Sequence, residues 1–223
     1  MPEIEYPQPR LEDGVIVLRP KRSEDIPALV AACQDPQIPR FTRVPDDYGE
    51  AEARTWLQES ERQRRQGNGM DLLAWDAETD ALVGSVGLNA VDWADLRANI
   101  GYWSAADARG RGVATRATRM LAGWTLKSLG IQRVQIYADV VNLASQRVAE
   151  RAGFTKEGIL RSHMQLRASA SMPLSSPSFR PTSRAPRNSA KLRPSLPLGR
   201  SGHRTSIEDH SDADLRVRVR TVR

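Results

Sequence analysis

Up to Met164 the hydrophobic positions follow two rhythms in alternation. "GVIVLRP" (Gly14 to Pro20) reads as a strand, and Ser23 then caps a helix in "SEDIPALVAACQD", where Ile26, Leu29 and Val30 fall at helical spacing. After the irregular "PQIPRFTRVPDDYG" comes a charged amphipathic helix, Glu50 to Arg65, with Ala53, Trp56 and Leu57 as its apolar stripe and "QGNG" as its stop. "MDLLAWDAE", "ALVGSVGLNAVDW" and "RANIGYWSA" follow, separated by the turn signals "ETD" and "ADL", and predict an antiparallel meander. Next is a helix from Ala114 to Leu129 with Ala117, Met120, Leu121 and Trp124 on one face. A strand "RVQIYADV", a helix "LASQRVAERA" stopped at Gly153, and a strand "FTKEGIL" complete the series. The order β-α-α-β-β-β-α-β-α-β predicts an α+β fold, an α/β mixed sheet.

The texture changes after Gln165. "RASASMPLSSPSFRPTSRAPRNSAKLRPSLPLGRSGHR" is Ser, Pro and Arg with one aromatic and neither apolar period, a composition that buries too little to offset ordering entropy. The chain therefore divides into an N-terminal extension (1–13), a globular domain (14–164) and a low-complexity tail (165–223) expected to be disordered. A strand-like run, "LRVRVRTV", stands near its end.

Charge follows the same division. The net charge is +6, yet from Gln165 onward 11 Arg and 1 Lys face 4 acidic residues, so the first 164 residues carry −2. Nucleic acid is thus an expected partner only through the tail. One cysteine, Cys33, and three scattered histidines leave no framework for disulfides or a metal site. No apolar window reaches the roughly 18 residues of a membrane span, and no signal sequence opens the chain. The expected setting is the cytoplasm, as a monomer or homodimer.

The candidate chemistry centres on "ARGRGVATRA", Ala108 to Ala117, between the strand "NIGYW" and a well-formed helix. Gly110 and Gly112 permit positive φ, Arg109, Arg111 and Arg116 add positive charge, and a helix N-terminus gathers free N–H groups. No Lys-Ser or Lys-Thr pair follows, so it is not a P-loop, and the third glycine of a dinucleotide fingerprint is missing. On its own the stretch reads equally well as a phosphate cradle or a solvated turn.

Its neighbours resemble a family. Arg109-Gly110-Arg111-Gly112-Val113-Ala114 is similar to the Gln/Arg-x-x-Gly-x-Gly/Ala motif of GCN5-related N-acetyltransferases (GNAT), and "IGYW" precedes it as that family's fourth strand precedes its pyrophosphate loop. Further on, "ADVVNLASQRVAERAGFTKEGILR" resembles the Asn-x-x-Ser, Gly-Phe, Glu-Gly-x-Leu-Arg succession of the RimJ/RimL branch, which acetylates ribosomal-protein N-termini and small amines. The resemblance runs from about Val15 to Met164.

The resemblance implies a sheet splayed between the family's fourth and fifth strands, here "NIGYW" and "RVQIYADV", with acetyl-CoA (acetyl coenzyme A) as co-substrate in the gap, no metal, and an amine acceptor entering from the other side. Backbone groups from Ile100 through Tyr102 to Trp103 would pair with the pantetheine arm, and one N–H would stabilise the oxyanion. Arg109, Gly110, Arg111, Gly112, Val113, Ala114 and Thr115 would hold the pyrophosphate. Asn142 would face the pantetheine, and Ser145 would be the general acid at the departing sulfur. Asn142 also reads as a plain N-cap with Ser145 in the first turn. Asn99 is no base but would position a water. Asp92, Asp95, Glu157 and His163 stay open as bases, each also readable as a solvated surface group.

Trp56, Trp75 and Trp124 read as packing, Trp93 and Tyr48 as loop residues, either plain or edging an acceptor pocket, and Cys33 as a small buried apolar residue. The family's closing strand is missing after "EGILR", and the Arg/Ala/Ser/Pro tail in its place reads as the product of a frameshift near Gln165. The reading is an amine acetyltransferase. The alternatives are a non-catalytic or C-terminally damaged coenzyme-binding relative, and a nucleic-acid-associated protein acting through its basic tail.

Overall fold

The computed structural model describes residues 1–160 and 218–222. Its strands are β1 (Leu11–Glu12), β2 (Ile16–Arg19), β3 (Met70–Asp76), β4 (Leu82–Asp92), β5 (Arg97–Ser104), β6 (Arg133–Asp139), β7 (Thr155–Leu160) and β8 (Arg218–Val222). Its helices are α1 (Ile26–Cys33), α2 (Gln37–Phe41), α3 (Glu50–Arg65), α4 (Val113–Ser128) and α5 (Leu143–Arg151). The strands form one sheet in the order β1-β2-β3-β4-β5-β6-β8-β7, antiparallel from β1 to β5. Because α4 carries the chain back across the sheet, β6 lies parallel to β5.

The period-2 alternation sends apolar side chains to both faces. On one face Ile16, Leu18, Leu72, Val86, Leu88, Ala98 and Ile100 pack with Leu121 of α4 and Ala149 of α5. On the other, Leu73 and Trp75 pack with Ile26 and Leu29 of α1 and Ala53 of α3. β3 is covered on both sides, which is why "LLAW" is a continuous apolar run.

Four local details depart from or extend the sequence reading. The segment before Gly14 is tied into the fold: Ile4 is wholly buried, its N–H donates to the Arg64 carbonyl at 3.1 Å, and Arg64 Nη1 donates back to the Ile4 carbonyl at 2.8 Å. Arg64 also pairs with Glu3 and Glu61, each at 2.8 Å. Around α1, Asp25 and not Ser23 closes the helix start. It accepts the Arg22 N–H at 2.8 Å and is held by both arms of Arg19 at 2.8 and 2.9 Å. The stretch read as irregular contains α2; Pro36 and Pro39 are tolerated because a helix's first turn has no intrahelical use for N–H groups. Finally, the strand-like run at the chain's end forms β8, parallel to both β6 and β7. The low-complexity stretch and His163 lie outside the described residues, whereas β8, which the tail supplies between β6 and β7, stands where the sequence reading expected no closing strand.

Two outcomes follow from the joint between the N-terminal segment and α3. Replacing Ile4 with Ala should lower unfolding free energy by about 2–4 kcal/mol in denaturant titration, the usual cost of emptying a fully buried aliphatic site. Arg64 holds the Glu61 carboxyl at about 2 against an ordinary 4.5. A depressed carboxylate gives stability that is present above pH 4.5 and lost as pH falls towards 2. Thermal melts of Glu61→Gln should therefore fall less steeply than wild type across that window.

Candidate functional site

The site begins where two strands part. β5 and β6 pair only at Arg97–Arg133, Ala98–Val134 and Asn99–Gln135, and Gln135 Nε2 donates to Asn99 Oδ1 at 3.0 Å across the last rung. Beyond it β5 stays with β4 as far as Ser104, while Ile136 to Asp139 of β6 pair with β8. The strands diverge into a V, and a groove of about 1560 Å³ runs through it. Along this side of β5, backbone N–H and C=O groups from Ile100 to Ser104 have no strand partner among the described residues, so an extended ligand can pair with them.

At the tip of β5 the chain makes a short 3-10 turn, Ala106–Ala108, and then the glycine turn. Gly110 (φ 77°) and Gly112 (φ 80°) are left-handed, and Gly112 is the N-cap of α4. The first intrahelical bond is Arg116 N–H to the Gly112 carbonyl, 3.0 Å, so the amides of Val113, Ala114 and Thr115 lie at the open end of a 16-residue helix. A Cβ at either glycine would meet nothing within 4 Å. Conformation, not crowding within the protein, requires glycine here, and the space above the turn is open to an anion.

The arginines brace the turn. Arg111 pairs with Asp76 at 2.5 Å, Arg116 with Asp13 at 2.7 Å, and Arg109 with Asp35. The Thr79 amide and Arg111 hold the Asp76 carboxyl below the usual carboxylate range. Arg111 remains half exposed, so its guanidinium keeps donors to offer beyond its ion pair.

On the other arm of the V, Asn142 caps α5, its Oδ1 accepting the Ser145 N–H at 3.0 Å. Ser145 Oγ lies 2.9 Å from the Tyr102 hydroxyl, which also donates to the Ser145 carbonyl at 3.0 Å. Burial pushes the Tyr102 phenol up to about 12, so it keeps its proton at neutral pH. The two hydroxyls form a proton-donating pair at the groove wall. The sequence reading counted Tyr102 for its backbone alone; its place two residues after Ile100, on the same face, is the signal for its hydroxyl.

The remaining candidates separate. Asn99, Tyr48 and Cys33 line the groove; burial pushes the Cys33 thiol up to about 12, in keeping with an inert role. Trp93 does not line it: its indole N–H donates to the Gly67 carbonyl at 2.7 Å and anchors the β4–β5 turn to the end of α3. Asp92 and Asp95 both pair with Arg97, and Glu157 pairs with Arg133 at 2.9 Å. Sequence reasoning passed over Lys21 and Asp71. Lys21 is buried, 4.0 Å above the Trp56 ring, and donates to Ser60 Oγ at 2.5 Å and to Asp71 Oδ2 at 3.1 Å, while desolvation pulls its pKa down. Neither has a motif around it, because segments far apart in sequence bring them together.

No helix among the described residues is long and apolar enough to cross a membrane, and none of their His, Cys, Asp and Glu side chains gather in threes. Residues 16–155 match the acetyltransferase (GNAT) domain family. An uncharacterized N-acetyltransferase of Bacillus licheniformis is 26% identical over 148 residues, 66% of this chain and 83% of that protein. The ribosomal-protein-serine acetyltransferase of Escherichia coli is 33% identical over 82 residues, 37% of this chain and 46% of that protein. Among solved structures, a RimL ribosomal L7/L12 alpha-N-protein acetyltransferase in complex with coenzyme A superposes with a TM-score of 0.63 at 23% identity, covering 69% of this chain and 87% of the other. The family match spans more than half the chain and covers the glycine turn, both arms of the V and the start of α5, so this protein belongs to the GNAT family of acetyltransferases.

Proposed function

We propose that the chain transfers acetyl from acetyl-CoA to a primary amine, a protein N-terminus or a small molecule, by direct attack in a ternary complex. The observation that carries this reading is the parting of β5 and β6 beside the left-handed glycine turn: one groove offers an open strand edge, a helix N-terminus and a hydroxyl pair. The amides of Val113, Ala114 and Thr115, with Arg109, Arg111 and the space above Gly110 and Gly112, would hold the pyrophosphate. The free edge from Ile100 through Tyr102 to Trp103 would take the pantetheine as an added strand, and an N–H on it would stabilise the carbonyl oxygen as charge develops. Ser145, hydrogen-bonded to the Tyr102 hydroxyl, would return a proton to the leaving sulfur. Asn142 would orient Ser145 through their N-cap bond, and Asn99, fixed by Gln135, would seat a water. Residues 14–164 are the proposed catalytic unit and the cytoplasm the proposed setting. Coenzyme A bound to the structurally similar RimL protein supports the choice of donor.

Acetyl-CoA at about 100 times its Kd should stabilise the protein by about 2.7 kcal/mol, read as a raised Tm. Free thiol should accumulate only when an amine is added, and a screen of amines and N-terminal peptides would name the acceptor. Coenzyme stabilisation without thiol release from any amine would leave only the non-catalytic reading. Replacing Gly112 with Val should weaken coenzyme binding about 10-fold or more, since it fills the approach to the amides and strains a β-branched residue at a φ of 80°. Unchanged affinity in a folded Gly112→Val protein would refute the cradle. Tyr102→Phe should lower kcat with little change in coenzyme affinity.

A further inference from the structure

The groove passes through the V to the face covered by α1 and α3, and the sheet there has an unusual floor. Asp71 of β3 is paired with Gly87 of β4, and Gly87 with Gly101 of β5, so one row across three strands holds a carboxylate followed by two bare positions. A Cβ at Gly87 would lie 2.0 Å from Asp71 Oδ1. The carboxylate thus lies flat over β4, along the row that leads to the open edge of β5. All three residues line the groove.

The other groove carboxylates are engaged: Glu52 caps the Gly49 amide at 3.0 Å, Glu59 holds Arg62, and Asp139 accepts the Val141 amide at 2.9 Å. Asp71 uses only Oδ2, for Lys21, and its Oδ1 has no hydrogen bond among the described residues. Lys21 is held by Ser60 and by the field of Glu61 on α3, and it does not line the groove.

Resting on the transferase reading above, we infer that Asp71 Oδ1 takes the acceptor amine's proton through one bridging water. Neighbouring strands lie about 4.8 Å apart, so a carboxylate oxygen over β4 stands roughly two strand spacings from a pantetheine added beyond the open edge of β5. That interval admits one water, hydrogen-bonded to Oδ1, and beyond it one nitrogen within attacking distance of the carbonyl carbon. One proton passes from the ammonium through the water to Oδ1 and on to solvent. The nitrogen lone pair forms the N–C bond and the C–S bond breaks; the departing thiolate takes a proton from the Tyr102–Ser145 pair, and the second proton that leaves the nitrogen restores that pair through solvent. The sum is amide, free coenzyme thiol and one released proton. The two glycines keep the path between base and edge clear.

The test compares Asp71→Asn and Gly87→Ala with wild type on alkyl amines and on a weakly basic aromatic amine that is already uncharged at pH 7. Asp71→Asn should lose about 100-fold or more in kcat/KM for alkyl amines at pH 7. The loss should shrink as pH rises and be small for the weakly basic amine, while the Tm rise with acetyl-CoA stays at its wild-type size. Gly87→Ala, which displaces Oδ1 without removing a charge, should reproduce the pattern and carries the test if Asp71→Asn does not fold. Wild-type rates in a folded variant, or a loss equal for all amines at every pH, would overturn the assignment. Wild-type protein that releases no thiol with any amine would instead overturn the transferase reading, and this assignment with it.

Discussion

Everything functional in this fold depends on one rung, Asn99–Gln135, being the last that β5 and β6 share. Two parallel strands that paired to their ends would satisfy each other's backbone groups and close the sheet. By parting, they leave β5 with an unpaired edge in the middle of the domain, a polar surface that would be a liability at an outer margin. The side-chain bond between Gln135 and Asn99 makes the end of pairing abrupt. Beyond it β4 secures β5 and β8 secures β6, so each arm is held by its outer neighbour and the gap needs no support from within.

The proposed donor and acceptor halves use opposite faces of the same strand. Ala98, Ile100 and Tyr102 look toward α4 and α5, which places the phenol against Ser145; Gly101 and Trp103 belong to the α1 and α3 side. A period of two therefore divides the labour. It also explains the glycines of the central row: a side chain at Gly87 would collide with the Asp71 carboxylate, and one at Gly101 would come within 3.1 Å of Asn89 Nδ2.

Much of the fold was legible because its signals are local. The limits of α3 coincide with its apolar stripe and its glycine stop, and the three meander strands fall where turn residues divide them. The glycine turn was legible for the same reason, since φ and helix position are written in adjacent residues. Less visible were features made by distant segments. Ile4 and Tyr6 look like an acidic, proline-bearing leader until Arg64, some 60 residues on, is seen to hold them. Lys21, Ser60 and Asp71 come from three elements, and no spacing rule joins them. Trp93 was readable as a pocket edge because loop tryptophans often are, but its indole N–H had a buried carbonyl to satisfy.

The carboxylates that brace the glycine turn also govern what an approaching anion meets. Asp13, Asp35 and Asp76 neutralise Arg116, Arg109 and Arg111 one for one, in a segment whose first 164 residues carry a net −2. The turn therefore projects little long-range attraction, and capture of a polyanion there relies on contact with amides and guanidiniums within a few ångströms. A coenzyme bound there would be met by random collision and not by steering, with an association rate nearly insensitive to salt. It also gives longer polyanions such as nucleic acid no reason to gather at its mouth.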